Sequence, residues 1–424
     1  MFKKRINSTL RLLFYLTVTT LMASWNLAEA SGDNEYPRLI GMNIGKKHYQ
    51  NPSYQRELAK YDIVVLGFYR GWGRQRSAIR EVVSNLKKLN PEILVGQYSV
   101  MNEQRDDAND KAKEDIRKKI NDSNWWLRKQ SGERVQWTNR YNAWEVNFTK
   151  LAKPDADGKR YPQWLAERDY HVYHQAVPGF DFWYTDNVMR RPRVKADWDG
   201  NGVDDDPDTS LIIKSWREGY IAWWKRIREL TPDMMIMGNT DSDLSQSEFK
   251  GQLDAAFLEA MMGKKWSIET RNGWDVMMTR YRTVKNNLKE PRIIGFNVSG
   301  DTEDYRFFRY AFTSCLLDDG YFSFTDKKRG YSSVPWFDEY DIKLGHAISP
   351  PPVEAWKNGV WHRVFEHGVV LINPNDFQSE VELEENLWRF SGRQDPNWNT
   401  GAQVRSLIMP PKDGIILVRK KSLN

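Results

Sequence analysis

The feature that most constrains the fold is an alternation of short apolar runs with helical patterns, repeated between Arg38 and Asp326. Short apolar runs bounded by turn residues predict buried strands, and the patterns between them, with a period near 3.6, predict helices. Eight such units predict an α/β fold, a (β/α)8 TIM barrel. A doubly wound open sheet is the alternative, but no glycine-rich phosphate-binding motif follows the first strand. The predicted strands are 38–45, 62–69, 92–98, 179–188, 234–239, 254–261, 292–298 and 320–326.

The fourth predicted strand ends on a carboxylate. The stretch GFDFWYTDNV is an apolar run that leads into a polar segment, and Phe182, Tyr184 and Asp186 share one face because strand side chains alternate. In a parallel α/β fold, ligands and chemistry collect where the strands leave the core at their carboxyl ends. Asp186 is therefore a candidate catalytic residue, although it could also simply begin the next loop.

A second carboxylate, Glu259, lies near the end of the sixth predicted strand. Two carboxylates on the same face of a barrel can cleave a glycosidic bond, because one protonates the leaving oxygen and the other attacks or activates water. The alternative for Glu259 is a loop carboxylate paired with Lys264 or Lys265.

Polar residues at the other strand ends are candidates for substrate binding. Asn, Gln, Tyr and Arg supply the paired donors and acceptors that sugar hydroxyls need, although each could instead cap a helix or satisfy the backbone. Together with Tyr184, they are Asn43, Tyr69, Arg70, Gln97, Tyr98, Asn239, Asn297 and Asp326.

Two further regions are predicted outside the regular barrel. Residues 102–160 form a long insertion, with a helical pattern over 106–129, and an insertion of this length is more often functional than a linker. After a proline run at 350–352, short alternating runs predict a small C-terminal antiparallel β domain. The predicted domains are thus the barrel at 31–345 and the β domain at 346–424.

The loop after the fourth strand resembles a calcium-binding loop. Asp197, Asp199 and Asn201 stand at the first, third and fifth ligand positions, Val203 at the carbonyl position and Asp208 at the last. The last position usually carries Glu, and no flanking EF-hand helices are evident. The loop predicts a structural calcium ion, with a solvated acidic loop as the alternative. No cofactor is expected to be required for the chemistry.

The first residues predict export. Basic residues precede an apolar run over 12–25, and Ala28-Glu29-Ala30 is a signal peptidase site, so residues 1–30 are interpreted as a signal peptide. An uncleaved anchor is the alternative, but the apolar run is short for spanning a membrane. No later segment is apolar enough to span a membrane. Without the leader's four basic residues and one acid, the chain has 59 basic and 56 acidic residues, which gives no reason to expect a nucleic-acid partner. We therefore expect a protein of the periplasm or the medium.

Several motifs together resemble one family. GFDFWYTDNV, LEAMMG, WFDEYDIKLG and the pair VFEHGVVLINP and MPPKDGIILV resemble the hypothetical glycosyl hydrolase-like family 15. The resemblance implies an exported bacterial (β/α)8 barrel with a C-terminal β domain and glycosidase activity. A wider resemblance, to α-galactosidases and endo-α-1,4-polygalactosaminidases, implies that Asp186 is the nucleophile and Glu259 the acid/base. Since α-galactosidases carry Asp at the sixth strand, the roles and the anomeric preference stay open.

These features predict an exported glycoside hydrolase that cleaves a polysaccharide, such as an α-linked exopolysaccharide. One alternative is a non-catalytic carbohydrate-binding protein on a degenerate barrel. A second is a barrel hydrolase that cleaves another type of bond with the help of a metal.

Overall fold

The computed structural model describes residues 35–44, 48–67, 76–136, 138–140, 142–240, 244–331 and 333–419. The predicted signal peptide and the candidate residues Tyr69 and Arg70 lie outside the described residues. Within the described residues, no helix is both long and apolar enough to cross a membrane.

Eight parallel strands form the predicted barrel, and each lies beside the next one in chain order. A parallel bridge from Leu39 to Phe322 joins the last strand to the first, so that the sheet closes on itself. The predicted fold is therefore confirmed. The barrel strands are β1 (Ile40–Asn43), β2 (Ile63–Leu66), β3 (Leu94–Val100), β6 (Phe182–Val188), β7 (Met235–Thr240), β8 (Ala255–Met262), β9 (Ile293–Gly300) and β10 (Tyr321–Asp326).

Helices surround the barrel and bury their apolar faces against it. In α2 (Arg76–Leu89), for example, Ile79, Val82, Val83 and Leu86 are at most 1% exposed, as their helical spacing predicts. The helices outside the insertion are α1 (Pro52–Leu58), α2 (Arg76–Leu89), α4 (Tyr161–Asp169), α5 (Ser210–Leu230), α6 (Ile268–Asn272), α7 (Trp274–Asn287) and α8 (Tyr305–Leu316). The pattern of residues 161–177 predicts one helix, but α4 ends at Asp169 and a π-helical turn, Tyr170–His174, follows it.

The strands divide their side chains between two apolar layers. One cluster fills the interior of the barrel and includes Tyr98, Phe182 and Tyr184. The other lies between the sheet and the helices and includes Trp183. Gly96 lets the inner layer close, because a Cβ atom at this position would lie 2.1 Å from the ring of Phe182. The inward-facing rings of Tyr98 and Tyr184 form the floor beneath the carboxyl ends of the strands.

The insertion is less helical than its pattern predicts. Its elements are β4 (Glu103–Arg105), a 3-10 turn (Lys111–Lys113), α3 (Glu114–Asp122) and β5 (Ala143–Glu145), and β4 pairs with β5 in antiparallel fashion. The helical prediction for 106–129 is wrong outside 111–122, because Asn124 adopts a positive φ of 52° and the chain then enters bridges such as Trp126 to Val146. We call the insertion the cap.

A five-stranded antiparallel sheet follows the barrel. Its strands are β11 (Trp361–Phe365), β12 (Gly368–Asn373), β13 (Ser379–Arg389), β14 (Gln403–Met409) and β15 (Asp413–Val418). The sequence predicted strands at 360–365, 368–372, 379–383 and 414–419, which omits β14, a mostly exposed strand, and makes β13 too short. Arg309 of α8 anchors the sheet to the barrel with two hydrogen bonds of 3.0 Å to the carboxylate of Asp413. The predicted domain boundary at residue 346 stays a prediction.

Candidate active site

Asp186 and Glu259 both lie at β-bulges near the carboxyl ends of their strands. In β6, Asp186 and Asn187 together face Asn239 of β7, and in β8 three residues from Glu259 onward face Asn297 of β9. The residue after each carboxylate adopts a positive φ, 54° at Asn187 and 50° at Ala260. Such backbone is strained for residues other than glycine, and bulges commonly re-aim side chains beside active sites. The two strands therefore turn both carboxylates into the mouth of the barrel.

The amide group of Asn239 joins the two carboxylates. Its Nδ2 donates to Oδ1 of Asp186 over 2.8 Å and to Oε2 of Glu259 over 2.9 Å. Because the two N–H bonds of an amide diverge by about 120°, these two oxygens lie about 5 Å apart. Glu259 thus belongs to the same hydrogen-bonded unit as Asp186, and no ion pair joins it to a lysine within the described residues.

A tyrosine donates to the outer oxygen of each carboxylate. Tyr98 donates its hydroxyl hydrogen to Oδ2 of Asp186, and Tyr331, in the loop after β10, donates to Oε1 of Glu259. The sequence analysis missed Tyr331, since a single tyrosine in a loop gives no signal of where it will lie. A continuous chain of hydrogen bonds therefore runs from Tyr98 through the carboxylates to Tyr331.

Burial and the like charge of Glu259 both raise the pKa of Asp186. Burial, and then the charge of Glu259, raises the pKa of the Asp186 carboxyl from 3.8 to about 6, against the opposing effect of hydrogen bonds from Tyr98, Asn239 and the Asn187 backbone. Burial, and then Asp186, also raises the pKa of the Tyr98 hydroxyl well above its usual value. Tyr98 therefore stays protonated and remains a hydrogen-bond donor.

The cap brings two more carboxyl groups near the site. Glu103 and Glu145 face each other across the β4–β5 ladder, and the charge of Glu103 acts on Tyr98. Burial, and then Glu103, raises the pKa of Glu145 well above its usual range, while Arg193 opposes the shift. Glu145 is only 3% exposed, so its carboxyl group is held toward the neutral form. The sequence analysis did not single out either residue.

A cavity of about 320 Å³ opens beside the carboxylates. Glu259 and Asn239 line it, together with Trp266 and three arginines, Arg193, Arg271 and Arg280. Larger cavities, of about 530 and 640 Å³, lie elsewhere: one beneath the barrel beside the β domain, the other against α5. The smaller cavity is the candidate active site, because a reaction needs the reactive groups and not the largest volume.

Three other predicted binding residues, Tyr184, Asn297 and Asp326, contact protein groups around the two carboxylates. Tyr184 is fully buried under Tyr98, with the two rings 5.6 Å apart and nearly parallel, so it does not reach a substrate. Asn297 accepts from the Ala260 backbone over 3.0 Å and so holds the bulge after Glu259. Asp326 closes the turn after β10 by accepting from the backbone of Lys328.

Asn43, at the end of β1, and Gln97, in the middle of β3, are buried, at 2% and 1% exposure. Asn43 accepts from the hydroxyl of Tyr54 over 2.6 Å, and Gln97 donates to the carbonyl of Tyr98 over 2.8 Å. Each keeps one buried side-chain atom, Nδ2 and Oε1 respectively, without a hydrogen bond to a described residue. Their binding role stays a prediction.

The acidic loop after β6 gathers a different set of carboxylates from the predicted one. Asp197, Asp199 and Asp205 offer oxygens within 4.8 Å of one another. Asp208 does not join them, because it pairs with Arg191. Asn201 has turned its side-chain oxygen to the backbone N–H of Val203 over 2.8 Å. Carboxylate oxygens at this spacing suit a hard cation such as calcium, so the residues fit the predicted ion with Asp205 in place of Asp208.

Structural comparison finds barrels of glycoside hydrolases. An α-amylase from Lactobacillus plantarum superimposes with a TM-score of 0.51 at 7% identity, covering 92% of this chain and 99% of that one. An α-amylase from Geobacillus thermoleovorans, solved with acarbose, gives 0.50 at 12%, covering 91% and 99%. The glycoside hydrolase domain of PelA from Pseudomonas aeruginosa gives 0.43 at 14%, covering 70% and 97%. At these identities the likeness concerns the fold alone.

Comparison with curated proteins gave no matching sequence. A family model does match: that of the hypothetical glycosyl hydrolase family 15 covers residues 87–369, which include the cap, both carboxylates and the first strand of the second sheet. The chain therefore belongs to the hypothetical glycosyl hydrolase family 15 and has the barrel of a glycoside hydrolase.

Proposed function

We propose that the protein is an exported retaining glycoside hydrolase that cleaves a polysaccharide, with Asp186 as the nucleophile and Glu259 as the general acid/base. The observation that carries the proposal is the single amide of Asn239, which donates a hydrogen bond to each carboxylate. A retaining mechanism needs carboxyl groups roughly 5–5.5 Å apart, and an inverting one roughly 6.5–9.5 Å. The facing oxygens of Asp186 and Glu259 lie about 5 Å apart, so the inner edges of the two carboxyl groups meet the retaining distance.

The surroundings of each carboxylate support its role. Asp186 is buried and receives hydrogen bonds from Tyr98, Asn239 and its own neighbour's backbone, which orient a nucleophile and favour its ionised form. Glu259 lines the cavity and is only partly buried, so it can exchange a proton with water between the two half-reactions.

The reaction then proceeds in two steps. Glu259 protonates the glycosidic oxygen while Asp186 attacks the anomeric carbon, which releases the leaving sugar and forms a glycosyl ester on Asp186. Glu259, now ionised, takes a proton from water, and the water oxygen attacks the anomeric carbon and frees Asp186. Tyr331 steadies Glu259 in both steps through its hydrogen bond to Oε1.

The test is release of reducing sugar from a panel of exopolysaccharides and α-linked galactose or galactosamine polymers. Asp186→Asn and Glu259→Gln should each lower the rate by about a hundredfold or more, and the exposed Asp233→Asn serves as the matched control. Azide should rescue Asp186→Gly with inverted configuration and Glu259→Ala with retained configuration, which distinguishes the two roles. Release that survives both substitutions contradicts the site. Glycan binding without release supports a non-catalytic binding protein.

The pH profile tests the roles independently. The nucleophile must be ionised, and the pKa of Asp186 is raised to about 6, so kcat/KM should fall as the pH drops below about 6. If Asp186 were instead the acid, the rate would fall as the pH rises through the same range.

We also propose that Asp197, Asp199 and Asp205 hold a structural calcium ion in the loop after β6. Their clustered oxygens support this, and such an ion would order the chain that leads from Asp186 to α5. Export is proposed from the leader at residues 1–30 alone, and amino-terminal sequencing of the protein from culture medium and periplasm tests it.

A further inference from the structure

The cavity beside Glu259 carries an unusual concentration of positive charge. Three arginines, Arg193, Arg271 and Arg280, line it, and we call them the arginine flank. All three arginines are exposed. Arg271 lies on α6, Arg280 lies on α7, and Arg193 lies in the segment after β6, so three separate parts of the chain converge on one cavity wall.

Two of these arginines are not neutralised. Arg271 donates its Nε hydrogen to the carbonyl of Lys265 over 3.2 Å, which leaves both terminal nitrogens free of partners among the described residues. Arg280 forms no hydrogen bond or ion pair with any described residue. The acidic residues nearest along the chain do not neutralise Arg271 or Arg280. Oε1 of Glu269 lies 3.9 Å from Nζ of Lys412, and Asp275 forms no ion pair within the described part of the chain.

Arg193 differs from the other two, since it also faces the cap. Its charge acts on the buried Glu145. Burial, and then the charge of Glu103, raises the pKa of the Glu145 carboxyl, and Arg193 opposes this shift. Arg271 and Arg280 therefore supply the positive charge on which the arginine flank depends.

The chemistry of the flank selects an anion. Guanidinium groups are donors only and match the paired oxygens of carboxylate, sulfate or phosphate in a two-point geometry. A neutral sugar hydroxyl accepts a hydrogen bond from a guanidinium group but carries no negative charge, so it gains less from the arginines than an anionic group does. Trp266, which is 50% exposed, lies in the same wall and offers an aromatic face for the apolar side of a sugar ring.

We infer that the arginine flank is a subsite for an anionic sugar, one that carries a carboxylate, sulfate or phosphate group, on the leaving-group side of the scissile bond. The side follows from Glu259, the proposed acid/base, which lines the same cavity and must touch the leaving oxygen. The inference rests on the proposed function for this placement, while the anion preference itself rests on the arginines. It narrows the substrate to acidic polysaccharides.

Binding to the full chain tests the preference without any turnover. Calorimetry compares hexamers of galacturonate, glucuronate and mannuronate, a sulfated hexamer, and the carboxyl-reduced neutral hexamer of each uronate. The parent should bind at least one charged hexamer about tenfold or more tightly than its neutral counterpart at about 20 mM salt, and the preference should shrink at about 500 mM. The uronate and sulfated arms distinguish the source of the anion.

The variants Arg271→Gln and Arg280→Gln, alone and together, locate the effect. Because both side chains are exposed, the substitutions should leave folding intact, which the thermal midpoint checks. In the double variant, the affinity for the charged hexamer relative to its neutral counterpart should fall by about tenfold or more. The exposed Arg405→Gln on β14 is the control and should keep the parent's preference for the charged hexamer. On a polymer that the parent cleaves, the double variant should raise KM with little change in kcat.

The outcomes separate this inference from the proposed function. Equal affinity for charged and neutral hexamers, no binding of any charged hexamer, or a preference that survives in the double variant each overturns the anionic subsite, even if a neutral polymer is cleaved. Charge-selective binding that the double variant loses upholds the subsite, even if no polymer is cleaved and the hydrolase proposal fails.

Discussion

Replacing Asp186 with Asn should stabilise the folded protein, and it should do so only above acidic pH. Burial and Glu259 raise the pKa of Asp186 from 3.8 to about 6. Above both values, folding must hold an ionised carboxylate where the neutral form is preferred. A shift of about two units, at about 1.4 kcal/mol each, costs about 3 kcal/mol of folding free energy.

The sign follows from proton binding. Between about pH 4 and pH 6 the folded protein keeps the Asp186 proton and the unfolded chain releases it, so stability from this group is full at low pH and is lost as the pH rises through about 6. The amide introduced by Asp186→Asn has nearly the same shape as the carboxylic acid but cannot ionise. The stability difference between Asp186→Asn and the parent should therefore grow by about 3 kcal/mol across this range and then stay constant.

Urea unfolding at several pH values measures this difference without a substrate. The parent, Asp186→Asn and the exposed control Asp233→Asn are compared at about pH 4, 5, 6 and 7.5. A difference that is flat with pH, or that shrinks as the pH rises, refutes the assignment of a raised pKa to Asp186. A growing difference means that the ionised Asp186 carboxylate destabilises the folded protein. Such a loss of stability for the sake of activity is expected of catalytic groups.

Three further predictions concern other parts of the molecule. Tyr331→Phe removes the hydrogen bond to the proposed acid/base and should lower kcat by about tenfold to a hundredfold with little change in KM; an unchanged kcat contradicts the positioning role. Burial lowers the pKa of His174 to about 3, so the folded state excludes a proton that the unfolded chain binds below about pH 6.5. His174→Phe should therefore lose about 2 kcal/mol less stability than the parent between about pH 7.5 and pH 5 in urea unfolding, and equal losses would contradict this. Asp205→Asn should abolish the rise in thermal midpoint on adding calcium to chelator-treated protein, whereas Asp208→Asn, whose carboxylate pairs with Arg191, should keep it; the reverse pattern contradicts the revised ligand set.

The bulges explain why the two carboxylates could be predicted but their arrangement could not. Alternation along the strand places Asp186 on the inward face, in line with Phe182 and Tyr184. The distance between Asp186 and Glu259, however, depends on the extra residues at Asn187 and after Glu259, and no local sequence signal marks them. A bulge is stabilised by its neighbours, here by Asn297 holding the backbone of Ala260.

Residues that act through distant contacts were missed for the same reason. Tyr331 reaches Glu259 across 72 positions of the chain, and Glu145 meets Glu103 across the two-stranded ladder of the cap. Asp205 joins the acidic cluster because the loop folds back through a bridge between Ala196 and Asp205, which moves Asp208 away. Each of these depends on which segments pack together and not on spacing along the chain.

The sequence by itself determined the repeated strand and helix units, the inward face of each strand and the two strand ends that carry carboxylates. Hydrophobic periodicity specifies these properties, because the burial of alternate residues is a local requirement. Only the tertiary structure decided that Asn239 joins Asp186 to Glu259, that Tyr98 and Tyr331 hold the outer oxygens, and that arginines from three segments share one wall. Those contacts form between residues far apart in the chain, and closing the barrel is what brings them within hydrogen-bonding distance.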